Sequence, residues 1–210
     1  MTKLTIEAGQ RTQAERRAAS ERELLQAALR LFAQQGFMGT TLAQIGAEAG
    51  YSRGLVTQRF GSKLGLAHAL IELIRRGFEE ATVSELDQVP DHLVLHAHID
   101  RYIRALEADK ARYRALLALQ AESITSLSEL RPDLARLNEM VRTYLMSRLS
   151  TAQARGDIAP GVDLVSTVTA TLGMLRGTAS QSLIDPGGTD ARAAGEAAKR
   201  MLSKLLFEGE

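Results

Sequence analysis

Only four prolines, at positions 90, 132, 160 and 186, interrupt this 210-residue chain, and between them apolar residues recur every three or four positions instead of alternating. That spacing puts apolar side chains on one face of successive helices, so the chain reads as all-α. Leu24, Leu25, Ala28, Leu29, Leu31 and Phe32 form the first clear stripe, closed at Gly36, where glycine can take the positive φ that ends a helix. Thr41 offers a hydroxyl cap for a short helix carrying Leu42, Ile45 and Ala49 inward, and Gly50 breaks the chain again. Ser52 caps a third helix to about Phe60, and Ser62 a long fourth one toward Val83. Further helices are expected over 92–108, 110–128, 132–155, 162–184 and 189–207, separated by turns at the prolines and at Gly156.

Cysteine is absent, which removes disulfides, thiolate zinc sites and cysteine nucleophiles together and fits a reducing cytoplasm. No window reaches the roughly 18 uninterrupted apolar residues of a membrane span, so a cytoplasmic protein with no membrane association is expected. The net charge of +1 hides an asymmetry. Residues 1–65 hold nine Lys/Arg against five acids, and the remainder holds seventeen against twenty. A basic head on a slightly acidic body suits a polyanion-binding protein.

The two short helices, 42–49 and 52–60, have the size and glycine-turn spacing of a helix-turn-helix, whose second helix enters the DNA major groove. Leu55, Val56 and Phe60 face the core of such a head, leaving Arg53, Thr57, Gln58 and Arg59 for DNA. Arginine and glutamine can pair bidentately with guanine and adenine edges, and Thr57 can donate to a phosphate. Lys63, opening the next helix, is placed to hold a phosphate together with that helix N-terminus. Thr41 and Ser52 are either caps alone or caps that also touch phosphates. The division is a flexible basic tail over 1–15, a helix-turn-helix head over 16–65 and a helical body over 66–210.

From Leu24 to Leu66 the string LLQAALRLFAQQGFMGTTLAQIGAEAGYSRGLVTQRFGSKLGL closely resembles the DNA-binding head of the TetR family. The likeness runs through the LF ending of the first helix, the QQGF turn, the paired threonines, Ser52-Arg53-Gly54-Leu55 and Phe60-Gly61-Ser62-Lys63. Leu175-Arg176-Gly177, followed by a Leu-Ile-Asp-Pro turn, resembles the penultimate helix of many members. The resemblance implies that Thr41, Thr57 and Lys63 touch phosphates, and that Arg53, Gln58 and Arg59 read bases or neighbouring phosphates. It also implies a homodimer on a double-stranded DNA operator, and a body that binds a small-molecule effector releasing a repressor. Four positions depart from the family pattern, Arg59 among them, near which a histidine or aromatic is common. Thr57 stands where an aromatic is common, Tyr51 where a small apolar residue is usual, and Gly46 where alanine is usual. The last costs about 1 kcal/mol of helix propensity unless the short helices approach closely there.

Reading a palindrome with two heads about 34–36 Å apart requires a dimer on physical grounds as well. Candidate interface residues are Val165, Val168, Leu172, Leu175, Ala179 and Leu183 in one helix and Ala194 and Ala198 in the next, where Gly173 and Gly177 permit close approach. Stripes of this kind can equally face their own core. Candidate pocket residues are Tyr102, Leu106, Tyr113, Leu116, Leu117, Ile124, Tyr144 and Met174, and with so few aromatics an apolar or weakly acidic effector is expected rather than a bulky cation.

Catalysis is the rival reading. His92 and His96 stand at i, i+4 with His98, Asp91 and Asp100 nearby, the spacing for two imidazoles on one metal, yet no His-Glu-x-x-His string occurs. No Gly-x-Ser-x-Gly elbow or phosphate loop is present either. No metal, cofactor or catalytic residue is therefore expected. A helical scaffold binding protein partners is the third possibility.

Overall fold

Apolar periodicity becomes nine helices in the computed structural model, which describes residues 12–208, with no strand among them. The order is α1 (Gln13–Gln35), α2 (Leu42–Glu48), α3 (Arg53–Phe60), α4 (Lys63–Leu86), α5 (Val94–Ala108), α6 (Lys110–Thr125), α7 (Arg131–Arg155), α8 (Leu164–Ile184) and α9 (Ala191–Ser203). Helix α1 begins inside the stretch expected to be a tail. Thr12 accepts from the Glu15 backbone N–H at 3.2 Å and the Glu15 carboxylate returns the bond to Thr12 N at 2.7 Å, a capping box that makes residues 13–15 helical. The rest of the expected tail, 1–11, lies outside the described residues.

The head closes around Leu24, Ala28, Phe32, Ile45, Val56 and Leu66, all fully buried. Burying each of its larger side chains is worth about 1.5–3 kcal/mol. Phe32 and Phe37 meet with ring centroids 5.6 Å apart. Helix α4 then leaves the head without a break, carrying Leu66, Leu70, Ile71, Ile74 and Phe78 on one buried face, so the expected boundary at residue 65 falls within its first turn.

In the body, α5 is the central helix. Its buried residues Val94, Leu95, Ile99, Ile103 and Leu106 pack under α9 on one side, where Gly195 lets the α9 backbone sit against Ile99 and Ile103. Aspartates cap three of the body helices, Asp109 for α6, Asp163 for α8 and Asp190 for α9, each accepting a backbone N–H three residues on. Arg148 of α7 ties down the α4–α5 connection by donating to Asp91 and to the Leu86 carbonyl at 3.1 Å. Helix α6 lies along α1, so the body touches the head away from α3.

Candidate nucleic-acid interface and effector cavity

Helix α3 is positioned by short polar ties. Ser52 Oγ accepts from Leu55 N at 3.2 Å, while Val56 is driven fully into the head core. Arg53, Thr57 and Gln58 are left exposed on one face, at the i, i+4, i+5 spacing that a groove-lying helix needs. The Thr57 hydroxyl donates to the Arg53 carbonyl at 3.2 Å, leaving its oxygen free to accept. Thr41 caps α2 reciprocally with Gln44, at 3.2 and 2.8 Å. Both caps are exposed beside that face. Arg59 differs: it is half-buried, off the outward face, with a buried Nε that has no partner among the described residues.

Lys63 requires a correction. Its ammonium is not turned outward to a phosphate but donates to the carbonyls of Phe37 and Thr40, each at 2.7 Å, and sits 4.3 Å from the Phe37 ring centroid. Burial lowers its pKa, and the Glu122 carboxylate pulls the other way. The lysine therefore staples the α1–α2 turn to α4. Glu122 of α6 completes the joint by accepting from Phe37 N at 3.0 Å, and Gly36 suits the turn because its φ of +71° is a conformation side-chain-bearing residues rarely adopt. Nothing in the sequence marks Glu122, since its partner is a backbone N–H eighty-five residues earlier.

The body encloses a cavity where α4, α5, α6, α7 and α8 meet. Four of the pocket candidates, Tyr102, Tyr113, Leu116 and Leu117, line it together with Phe78, His98, Arg101, Gln120, Asn138 and Arg176. The other pocket candidates fall elsewhere. Leu106 is buried on the side of α5 facing the α8–α9 turn, and Met174 packs half-buried against the core without lining the cavity. Tyr144 lines a separate open groove between α4 and α7. Ile124 is 73% exposed; it shares the face of Leu117 seven residues earlier, but α6 ends at Thr125 and that side of its last turn is uncovered.

Of the dimer candidates, Val168, Leu175, Ala179 and Ala198 are buried inside the protomer's own core, Leu172 lines the cavity, and Leu183 and Ala194 are half-buried. Helical spacing alone cannot distinguish a stripe facing its own bundle from one facing a partner. The outward face of α8 is instead Val165, Ser166, Thr169, Ala170, Gly173, Gly177, Gln181 and Ile184, with Val165 58% and Ile184 80% exposed. Helix α8 carries a single charged residue, Arg176, and it lines the cavity. The histidines also separate. His92 meets the Phe207 ring edge-on, His96 Nε2 bonds the Lys199 carbonyl at 3.1 Å, and His98 lines the cavity. Among the described residues no group of three His, Cys, Asp or Glu is placed to hold a metal, and no helix is long and apolar enough to cross a membrane.

Residues 24–70 match the family model described as bacterial regulatory proteins, tetR family. The HTH-type transcriptional regulator BetI of Escherichia coli is 29% identical over 131 residues, spanning 61% of this chain and 65% of BetI. The BetI of Klebsiella pneumoniae aligns over the same shares. Among solved structures, a TetR transcription regulator from Haloarcula marismortui superposes with a TM-score of 0.79 at 17% identity, covering 90% of this chain and 99% of that one. The transcriptional regulator FadR of Bacillus subtilis, in complex with stearoyl-CoA, superposes at a TM-score of 0.77 and 18% identity, covering 86% of this chain and 96% of that one. Residues 24–70 therefore carry a head of the TetR family. These relatives are regulators and not enzymes.

As a TetR-family head, this one explains two of its departures. A Cβ at Gly46 would lie 2.8 Å from the Tyr51 carbonyl oxygen and 3.1 Å from the Ser52 carbonyl carbon, so glycine is what lets α2 press against the turn into α3. Tyr51 uses its hydroxyl to bond Glu23 of α1, and Arg30 pairs with Glu48 at 2.8 Å, so the C-terminal end of α2 and the turn after it are both tied to α1. We expect Gly46→Ala to destabilise the head, since overpacking costs about 1–3 kcal/mol against about 1 gained in helix propensity. Urea unfolding and DNA mobility shifts would both fall; unchanged values would contradict this packing.

Burial also sets protonation in the body. His98 is 1% exposed, and desolvation, helped by the nearby Arg101 guanidinium, lowers its pKa from 6.5 to about 3. The folded protein holds the neutral imidazole, whereas the unfolded chain takes up a proton near 6.5. This stabilisation is therefore complete above about pH 6.5 and is lost progressively as pH falls toward 3, at up to about 1.4 kcal/mol per pH unit. Between pH 7.5 and 5.0 unfolding should lose about 2 kcal/mol that His98→Gln does not lose. Parallel losses in both proteins would assign the acid limb to other groups.

Proposed function

We propose that this chain is a ligand-responsive, sequence-specific DNA-binding transcriptional regulator, a repressor that binds a palindromic operator as a homodimer in the cytoplasm and is released by a small molecule. The carrying observation is the α3 face: Arg53, Thr57 and Gln58 stand exposed on an eight-residue helix whose opposite side is anchored by Val56. In this reading Arg53 and Gln58 touch base edges, and the hydroxyls of Thr41, Ser52 and Thr57 donate to phosphates, Thr57 by turning away from the Arg53 carbonyl. Arg59 is left to a neighbouring phosphate. The body from α4 onward binds the effector, and its shift of α6 reaches the head through Glu122 and Phe37.

The outward face of α8 supports the homodimer, because it carries no charge and its two glycines, Gly173 and Gly177 at i, i+4, let a second helix approach closely. Gly173→Glu tests it. A Cβ at Gly173 meets open space, so the protomer should remain folded, with a slight gain in helix propensity. Light scattering should find the wild type dimeric and the variant monomeric. The variant should also lose about 100-fold or more in mobility shifts on DNA fragments retained by the wild type, since half of the paired contacts vanish. A wild-type monomer that binds those fragments as tightly as the variant would sink the dimeric reading. The scaffold alternative predicts no DNA retention at all.

A further inference from the structure

The cavity between α5, α6, α7 and α8 holds positive charge with nothing to neutralise it. Arg101 is 3% exposed, and among the described residues its guanidinium has neither a hydrogen bond nor an ion pair, with Nε buried and unpartnered. The Phe78 ring lies 5.6 Å from the guanidinium carbon, and Tyr113 and Tyr102 also favour the charged form, but none of them is an anion in contact with it. Glu85 acts on it from a distance, but that carboxylate is engaged with Arg104 at 2.9 Å. Arg176 of α8, on the same cavity, donates to the neutral Asn138 Oδ1 at 2.6 Å. No aspartate or glutamate lines the space. Around the two cations stand only neutral groups: His98, which burial keeps unprotonated, the phenols of Tyr102 and Tyr113, and the amides of Gln120 and Asn138. Both guanidiniums lie close enough to act on the Tyr102 phenol, so they converge on one region.

A buried guanidinium without an anionic partner is strongly unfavourable, and a protein that retains one has a use for it. Two guanidiniums with phenol and amide groups around them supply the donors that a carboxylate accepts. Apolar side chains from Phe78, Leu116, Leu137 and Val141 complete the lining. The space is small, about 50 Å³, where a single water needs about 10–15 Å³ by the same measure. It suits a compact acid and not a long-chain thioester such as the stearoyl-CoA bound by FadR. We propose that this cavity is the effector site for a small monocarboxylate with an apolar body, its carboxylate held by Arg101 and Arg176. That binding lowers DNA affinity rests on the regulator reading above. The ligand class does not.

The test uses the full chain with benzoate and hexanoate, set against benzamide and hexanamide and against chloride at equal ionic strength. The two carboxylates at about 10 mM should raise Tm by about 2–4 °C beyond chloride, and the amides should not. Arg101→Met keeps the aliphatic stem and removes the charge, so the ligand-free variant should melt higher than the wild type and lose the carboxylate shift. Arg176→Met should weaken carboxylate binding about tenfold or more in titration calorimetry. A lower Tm for ligand-free Arg101→Met makes the arginine a structural element and overturns the proposal. So do equal shifts from amides and acids, no shift from either carboxylate, or saturating stearoyl-CoA binding in their place. Mobility shifts separate the two readings. Carboxylate binding that leaves DNA affinity unchanged keeps the site and removes its regulatory role, whereas DNA binding without carboxylate binding removes only the site.

Discussion

Lys63→Met should destabilise the head by about 3 kcal/mol and leave the salt dependence of whatever DNA binding remains unchanged. The ammonium makes two charge-assisted hydrogen bonds, to the carbonyls of Phe37 and Thr40, at 2.7 Å each. Thr40 is fully buried and Phe37 nearly so, so water is poorly placed to replace the lost donor. Hydrogen bonds to charged groups are worth about 1.5–3 kcal/mol, and leaving buried acceptors empty adds to the loss. Methionine keeps the aliphatic stem, so the loss reports the ammonium itself, its contact with the Phe37 ring included. A lysine that served a phosphate instead would show the opposite pattern: unaltered urea unfolding, and a slope of log affinity against log salt shallower by about 1 per head. That outcome would return Lys63 to the DNA interface.

Arg53→Ala and Gln58→Ala should abolish sequence preference without touching the fold. Both side chains are exposed and make no hydrogen bond among the described residues, so removing them costs the protomer little. A bidentate base contact is worth about 1–3 kcal/mol of discrimination, and a symmetric dimer loses it twice. The expected penalty is thus about 2–6 kcal/mol per substitution on the preferred DNA and near zero on random DNA, read by mobility shifts at one stated salt concentration. Equal losses on both DNAs would make these residues phosphate contacts.

The helices and their order were legible in the sequence because the signals for them are local. Stripes at three- and four-residue spacing, the threonine and serine caps and the glycine and proline breaks all act within one or two turns. The outward side of α3 was legible for the same reason, since Val56 and Arg53 sort by polarity along a single short helix. What lay beyond reach was pairing across the chain. Lys63 looks like any exposed cation at a helix start until Phe37 and Thr40 fold back onto it. Val168, Leu175 and Ala179 form a stripe whichever surface they meet, and only the neighbouring helices decide that they face their own core. Arg101 reads as a solvated charge on α5, because its burial depends on four other helices. Gly46 was the informative exception. Its apparent propensity cost pointed to the close approach that the Tyr51 carbonyl makes there.

Selection of bound fragments from a random DNA library by the purified, ligand-free chain at moderate stated salt tests the central claim most directly. The account predicts enrichment of one palindrome with half-sites one helical turn, about 10 base pairs, or a multiple of it apart, with that enrichment lost in Arg53→Ala. Retained DNA no different from the input, by a folded protein, would contradict it.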